Sequence, residues 1–123
     1  MPDRPHILVV DDDAALLENM AECLSGEGFE VSVARDAASA LSRLELDPRP
    51  ALVIIDQLMP GMTGTELMAR IRGRPALAGV RLVLVSGLPP SRSDGDGDAD
   101  AVLEKPFGVD ELIGTLRAQL AAA

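Results

Sequence analysis

The chain has 123 residues, 47% hydrophobic and 25% charged, with a formal net charge of −9. That length fits one domain, 1–123, with enough apolar material for a core that needs no disulfide or structural metal. The acidic balance argues against nucleic acid or an anionic membrane as the main partner and suits cations or proteins. Cys23 is the only cysteine and Phe29 and Phe107 are the only aromatic residues, so the core is aliphatic and no internal disulfide exists. No apolar run approaches the 18 or so residues that span a bilayer, and no signal-like segment precedes the first strand pattern. The expected location is the cytoplasm.

In chain order, short β-branched and aliphatic runs alternate with helical stripes. Ile7–Val10 predicts a first strand, and Leu16, Leu17, Met20, Ala21 and Leu24 a first helix, with Asp13 as its N-cap and Gly26 and Gly28 as stop signals. Val31–Ala34 follows as a strand, then Ala37, Ala40, Leu41 and Leu44 as a helix ending before Pro48. Leu52–Ile55 predicts a third strand and Leu67, Met68 and Ile71 a third helix opened by Thr63 or Thr65. Leu82–Val85 and Ala101–Leu103 complete the strands, and Val109, Leu112, Ile113, Leu116 and Leu120 mark the last helix. Runs apolar on both faces suit a parallel sheet covered by helices on each side. Residues 87–100 hold two prolines, three glycines and four aspartates, a composition for a loop with at most one helical turn. An EF-hand beginning at Asp94 would need Gly at 99 and Glu at 105; Ala99 and Lys105 stand there.

Parallel strands present their C-terminal ends on one edge, where open α/β sheets bind ligands. That edge receives Asp11, Asp12 and Asp13, then Asp56, Ser86 and Lys105. If the first and third strands are neighbours, Asp11, Asp12 and Asp56 converge. Carboxylates that close repel one another unless a cation lies between them. Mg²⁺ suits an all-oxygen set completed by water and phosphate oxygens. A phosphoryl group fits the remainder, because its transfer depends on charge neutralisation and positioning, and an Asp can be the nucleophile. Lys105 would neutralise one phosphoryl oxygen and the Ser86 hydroxyl would donate a hydrogen bond to another.

Four segments, Ile-Leu-Val-Val-Asp-Asp-Asp (7–13), Leu-Val-Ile-Ile-Asp-Gln-Leu-Met-Pro-Gly-Met-Thr-Gly (52–64), Leu-Val-Leu-Val-Ser-Gly (82–87) and Lys-Pro-Phe (105–107), come in an order and spacing that resembles the receiver domains of two-component response regulators. The resemblance spans nearly the whole chain. It implies a flavodoxin-like, doubly wound α/β fold with a five-stranded parallel sheet in the order 2-1-3-4-5. It further implies Asp56 as phosphoacceptor, Asp12 as a direct metal ligand, Asp11 acting through a metal-bound water, and the Leu58 carbonyl as a further ligand. Ser86 becomes the switch hydroxyl, Lys105 the phosphoryl-binding lysine, and Lys105–Pro106 a cis peptide. The donor implied is a phosphohistidine on a histidine kinase or histidine phosphotransfer protein, and the chain is not an enzyme beyond transfer to and from its own Asp56.

Two departures stand out. Val102 occupies the position, three before the lysine, where the family usually carries an aromatic switch residue. Lys105 follows Ser86 by only 19 positions, so the fourth helix of the fold, between the fourth and fifth strands, should be short or missing. These departures motivate an alternative: a pseudo-receiver that binds a protein independently of phosphorylation. A dehalogenase-type phosphatase also uses an Asp nucleophile, but it needs a second Asp at position 58, which is Leu58.

Overall fold

The computed structural model describes residues 4–87 and 99–122. Five strands run β1 His6–Val10, β2 Glu30–Ala34, β3 Leu52–Asp56, β4 Arg81–Ser86 and β5 Ala101–Glu104. The helices are α1 Ala14–Gly26, α2 Ala37–Leu44, α3 Gly64–Arg72 and α4 Val109–Ala122, with a short 3₁₀ turn at Pro75–Leu77 before β4. Every adjacent pair in the sheet is parallel, and the order is β2-β1-β3-β4-β5. This is the expected fold class. The shortened fourth helix of the sequence reading falls largely on residues 88–98, outside the described residues.

The side chains of the central strands alternate between two cores, which is why the strands read as continuous apolar runs. Leu8, Val10, Val53, Ile55, Leu82 and Leu84 face α2 and α3, packing with Ala40, Leu44, Leu67, Met68 and Ile71. Ile7, Val9, Leu52, Ile54, Val83 and Val85 face α1 and α4, packing with Leu17, Leu24, Leu112 and Leu116. Each such aliphatic side chain contributes roughly 1.5–3 kcal/mol of transfer free energy when fully buried, so the pair of cores fixes both the strand order and the common edge. Val109, counted in the apolar stripe of the last helix, is instead 56% exposed at its first turn. Cys23 is half-buried, and Met59 and Met62 pack in the loop after β3.

Helix starts are set by side-chain caps. Asp13 accepts from the backbone N–H groups of Ala15 and Leu16 at 3.0 and 3.2 Å. Asp36 caps α2 through Ser39 N–H at 2.7 Å. Thr63 and Glu66 form a reciprocal capping box at the start of α3. Lys105–Pro106 is cis as expected, and Asp47–Pro48 is cis as well. Asp100, read from sequence as part of the 87–100 loop, is held by hydrogen bonds at the start of β5. Its carboxylate accepts from Arg72 at 2.6 Å and from Leu82 N–H at 2.7 Å, and Arg81 stands 3.7 Å away.

Candidate functional site

The register delivers the acidic side chains to one place. β1 pairs with β3 so that Val10 sits opposite Ile55, and the next residues on each strand, Asp11 and Asp56, emerge side by side at the C-terminal edge. Ala34 accepts a hydrogen bond from Asp11 N–H at 3.1 Å, which holds the turn after β1 against β2. Asp11 and Asp56 are buried, while Asp12 is exposed. One carboxylate oxygen from each of Asp11, Asp12 and Asp56 lies within 4.8 Å of the others. Asp13, the fourth acid of the neighbourhood, is committed to capping α1, as the sequence reading held.

Lys105 arrives from the far side of the sheet. Its backbone N–H donates to Ser86 O at 2.8 Å, anchoring the end of β5 on β4. From there its ammonium donates to Asp56 Oδ1 at 2.9 Å. Burial pulls the Lys105 ammonium toward its neutral form, but the Asp56 hydrogen bond and the charges of Asp56, Asp11 and Asp12 outweigh it, and the net shift is upward. Lys105 therefore stays charged. Asp11 is displaced the other way for an acid: desolvation raises its pKa, the hydrogen bond from Asp13 N–H at 2.9 Å opposes this, and the negative charge of Asp56 adds to the rise. Among the described residues the site is thus an acidic cluster with one cation paired to it, short of neutrality.

Ser86 is buried at the end of β4, one residue beyond Val85, which pairs with Asp56. Leu58, whose carbonyl the resemblance assigns to the metal, has its side chain 67% exposed two residues after the phosphoacceptor. Val102 lies half-buried on the α2–α3 side of β5 with an aliphatic side chain in place of an aromatic ring. An open cavity of about 520 Å³ extends from Asp11, Asp56 and Lys105 between Leu16, Met20 and Phe107. A more polar cleft of about 470 Å³ opens on the opposite side over Asp12, Arg35, Asp36 and Pro60.

Three residues that sequence reasoning did not single out shape this edge. Gly64 comes so close to the end of β3 that a Cβ built on it would lie 2.7 Å from Asp56 O and 3.0 Å from Gln57 Cα. Gln57 then clamps the same junction, accepting from Thr65 N–H at 2.9 Å while its own carbonyl accepts from Gly64 N–H at 2.9 Å. The third is Arg35, directly after β2. A glycine at a helix start is the one signal that could have flagged the first; an isolated surface arginine gives none.

The donor set fits a hard divalent cation. It is all oxygen, three carboxylates from two adjacent strand ends, and no His or Cys stands among them.

Comparison with known proteins agrees with this geometry. The profile of the response regulator receiver domain family matches residues 7–117. The chain is 36% identical over 117 residues to the DNA-binding response regulator MtrA of Mycobacterium tuberculosis, covering 95% of this chain and 51% of that protein. It is 36% identical over 116 residues to the response regulator MprA of the same organism, covering 94% of this chain and 50% of the relative. The chain therefore spans about half the length of these curated relatives. Among solved structures, a CheY-like receiver domain protein from Methanospirillum hungatei superposes with a TM-score of 0.88 at 29% identity, over 98% of this chain and 96% of that one. The response regulator TrrA of Thermotoga maritima, solved in complex with Mg²⁺ and BeF, gives 0.83 at 32% identity, over 93% and 97%.

Proposed function

The chain belongs to the response regulator receiver domain family, and from that premise we propose that it takes a phosphoryl group onto Asp56 in a Mg²⁺-dependent reaction and signals through the resulting change at its site. The observation that carries this reading is the convergence of Asp11, Asp12 and Asp56 within 4.8 Å, with the Lys105 ammonium 2.9 Å from Asp56. Three acids and one lysine at the same sheet edge make a poor structural ornament. They make a good receptacle for a divalent cation and a phosphoryl group.

In this reading Asp12 and Asp56 would hold Mg²⁺ directly, Asp11 would act through a metal-bound water, and the Leu58 carbonyl would complete the protein ligands. The bound cation supplies charge neutralisation for phosphoryl oxygens. Asp56 presents a carboxylate oxygen as nucleophile. Lys105, now paired with Asp56, transfers its attraction to a phosphoryl oxygen as the carboxylate charge is used in bonding. Ser86 contributes a hydroxyl donor at the end of β4. The chain turns over no separate substrate: transfer is to and from its own Asp56. The donor is a phosphohistidine on a histidine kinase or phosphotransfer protein, and the compartment is the cytoplasm. MtrA is named a DNA-binding regulator; here the net charge of −9 favours a protein as the partner of these residues.

A pseudo-receiver reading draws on Val102, where no aromatic ring is present to report the state of the site, and on the short Ser86 to Lys105 spacing of the sequence. It predicts a partner complex that ignores Asp56→Asn. The deciding experiment is incubation with acetyl phosphate and Mg²⁺ followed by intact mass measurement. A gain of one phosphoryl group in wild type that disappears in Asp56→Ala supports phosphoryl acceptance, and an unchanged mass under all conditions refutes it.

A further inference from the structure

We propose that Arg35 is a second cation of the site, which recognises the carboxylate leaving group of acyl phosphate donors and so makes the domain discriminate between small donors by what departs. The inference rests on the phosphoacceptor reading of Asp56. It starts from topology. The three carboxylates sit over β1 and β3, the inner strands of the order β2-β1-β3-β4-β5. Lys105 approaches from β5 on one side. Arg35 directly follows β2, whose last residue Ala34 pairs with Val10 and accepts from Asp11 N–H, and so approaches from the other.

Arg35 lines the polar cleft of about 470 Å³ together with Asp12, Asp36 and Pro60. Its side chain is exposed, and among the described residues no hydrogen bond or ion pair holds its guanidinium. Asp36, the nearest acid in sequence, is already engaged as the N-cap of α2. The other arginines of the described fold mostly have work: Arg43, Arg72, Arg74, Arg81 and Arg117 each make polar contacts. The Arg35 charge acts on the neighbouring Asp36 carboxylate, but no hydrogen bond commits the guanidinium, which can turn to whatever enters the cleft it shares with Asp12.

The charge count says what enters. Three carboxylates, one Mg²⁺ and Lys105 sum to zero, so a dianionic donor arrives with its charge uncompensated. With an acyl phosphate, the Asp56 oxygen forms a new bond to phosphorus while the bond from phosphorus to the acyl oxygen breaks. The electron pair leaves on a carboxylate, the anion that a guanidinium fork matches with two parallel hydrogen bonds. With phosphoramidate the phosphorus–nitrogen bond breaks instead, and the nitrogen, already protonated in the zwitterion present near neutral pH, takes the bonding pair and leaves as neutral ammonia. Arg35 can assist the first departure and gains nothing from the second.

The test compares the second-order rate of Asp56 labelling by acetyl phosphate and by phosphoramidate, both with Mg²⁺, in wild type, Arg35→Ala and Arg35→Lys. One exposed charge-assisted contact predicts a loss of roughly three- to tenfold with acetyl phosphate in Arg35→Ala, less than about twofold with phosphoramidate, and partial recovery in Arg35→Lys. The Mg²⁺-induced rise in Tm stays the same in all three proteins. Equal losses with both donors, no loss with either, or a changed Mg²⁺ response overturns the proposal. Failure of both donors to label wild-type Asp56 would instead strike the phosphoacceptor reading itself.

Discussion

At the scale of single residues, the site depends on contacts that leave no spare volume. Gly64 opens α3 directly against the carbonyl of Asp56. Ala at that position gains up to about 1 kcal/mol of helix propensity, but its methyl would meet backbone oxygen at 2.7 Å. Overpacking of that kind costs about 1–3 kcal/mol, and backbone cannot rotate out of the way as a flexible side chain would. Gly64→Ala is therefore expected to lower stability by about 1–2 kcal/mol net in a urea titration and to slow Asp56 labelling, because the strand end carrying the nucleophile must shift. Lys105→Ala acts on charge rather than shape. It removes the one ammonium facing three carboxylates, and loss of a preorganised donor to the transferring group predicts labelling slower by about a hundredfold. Single-turnover labelling followed by mass spectrometry measures this.

At the scale of elements, the caps and strand ends were written plainly in the sequence, and what was hidden depended on distant partners. Asp13 as the α1 cap, Thr63 or Thr65 at the start of α3 and the runs of β1 and β3 follow from local chemistry, since the cap and the strand each declare themselves within a few residues; the fold takes Thr63. The convergence of Asp11, Asp12, Asp56 and Lys105 was legible because parallel topology sends every strand end to one edge. Asp100 was not legible. Its composition matches a solvated loop, and only the fold brings Arg72, Arg81 and the Leu82 amide to it from α3 and β4. Gly64 was missed for the same reason: its partner is the backbone of a different element.

A cluster at the opposite edge gives β1, β2 and α2 a pH dependence. His6 bonds Ser32 Oγ at 2.8 Å and Arg43 stands 3.1 Å from its ring. Burial and the Arg43 charge lower the His6 pKa, against a smaller opposing pull from Glu30. The unfolded chain then binds the proton more readily than the folded one. The stability that neutral His6 confers is fully present above its ordinary value of 6.5 and is lost as pH falls through the lowered one. Denaturation midpoints should fall across that acid window in wild type more steeply than in His6→Gln; parallel curves would count against it.

At the scale of the molecule, Asp100 joins three elements where β5 enters the sheet. Besides the two arginines and the amide, Gln119 of α4 donates to its backbone carbonyl at 3.3 Å, while Arg81 reaches back to Gln119 at 2.6 Å. The Arg72 and Asp100 side chains are about three-quarters buried, so removing the acid takes the carboxylate partner from two guanidinium groups and the acceptor from the Leu82 amide. Asp100→Ala is expected to cost about 2–3 kcal/mol, read as a shift of the denaturant midpoint. The same mutation should leave Mg²⁺ binding intact, because it acts at the entry of β5 rather than at its exit.

The charge-dense edge behaves as one unit, and its most direct test is a Mg²⁺ titration followed by calorimetry. Wild type should bind one ion and gain about 2.7 kcal/mol of stability at a hundredfold excess over Kd. Asp12→Ala and Asp56→Ala should each abolish most of that gain, whereas Glu18→Ala, which alters a carboxylate of α1 away from the cluster, should keep it. Stabilisation that survives in Asp12→Ala and Asp56→Ala alike would contradict the convergence of these side chains on a single cation.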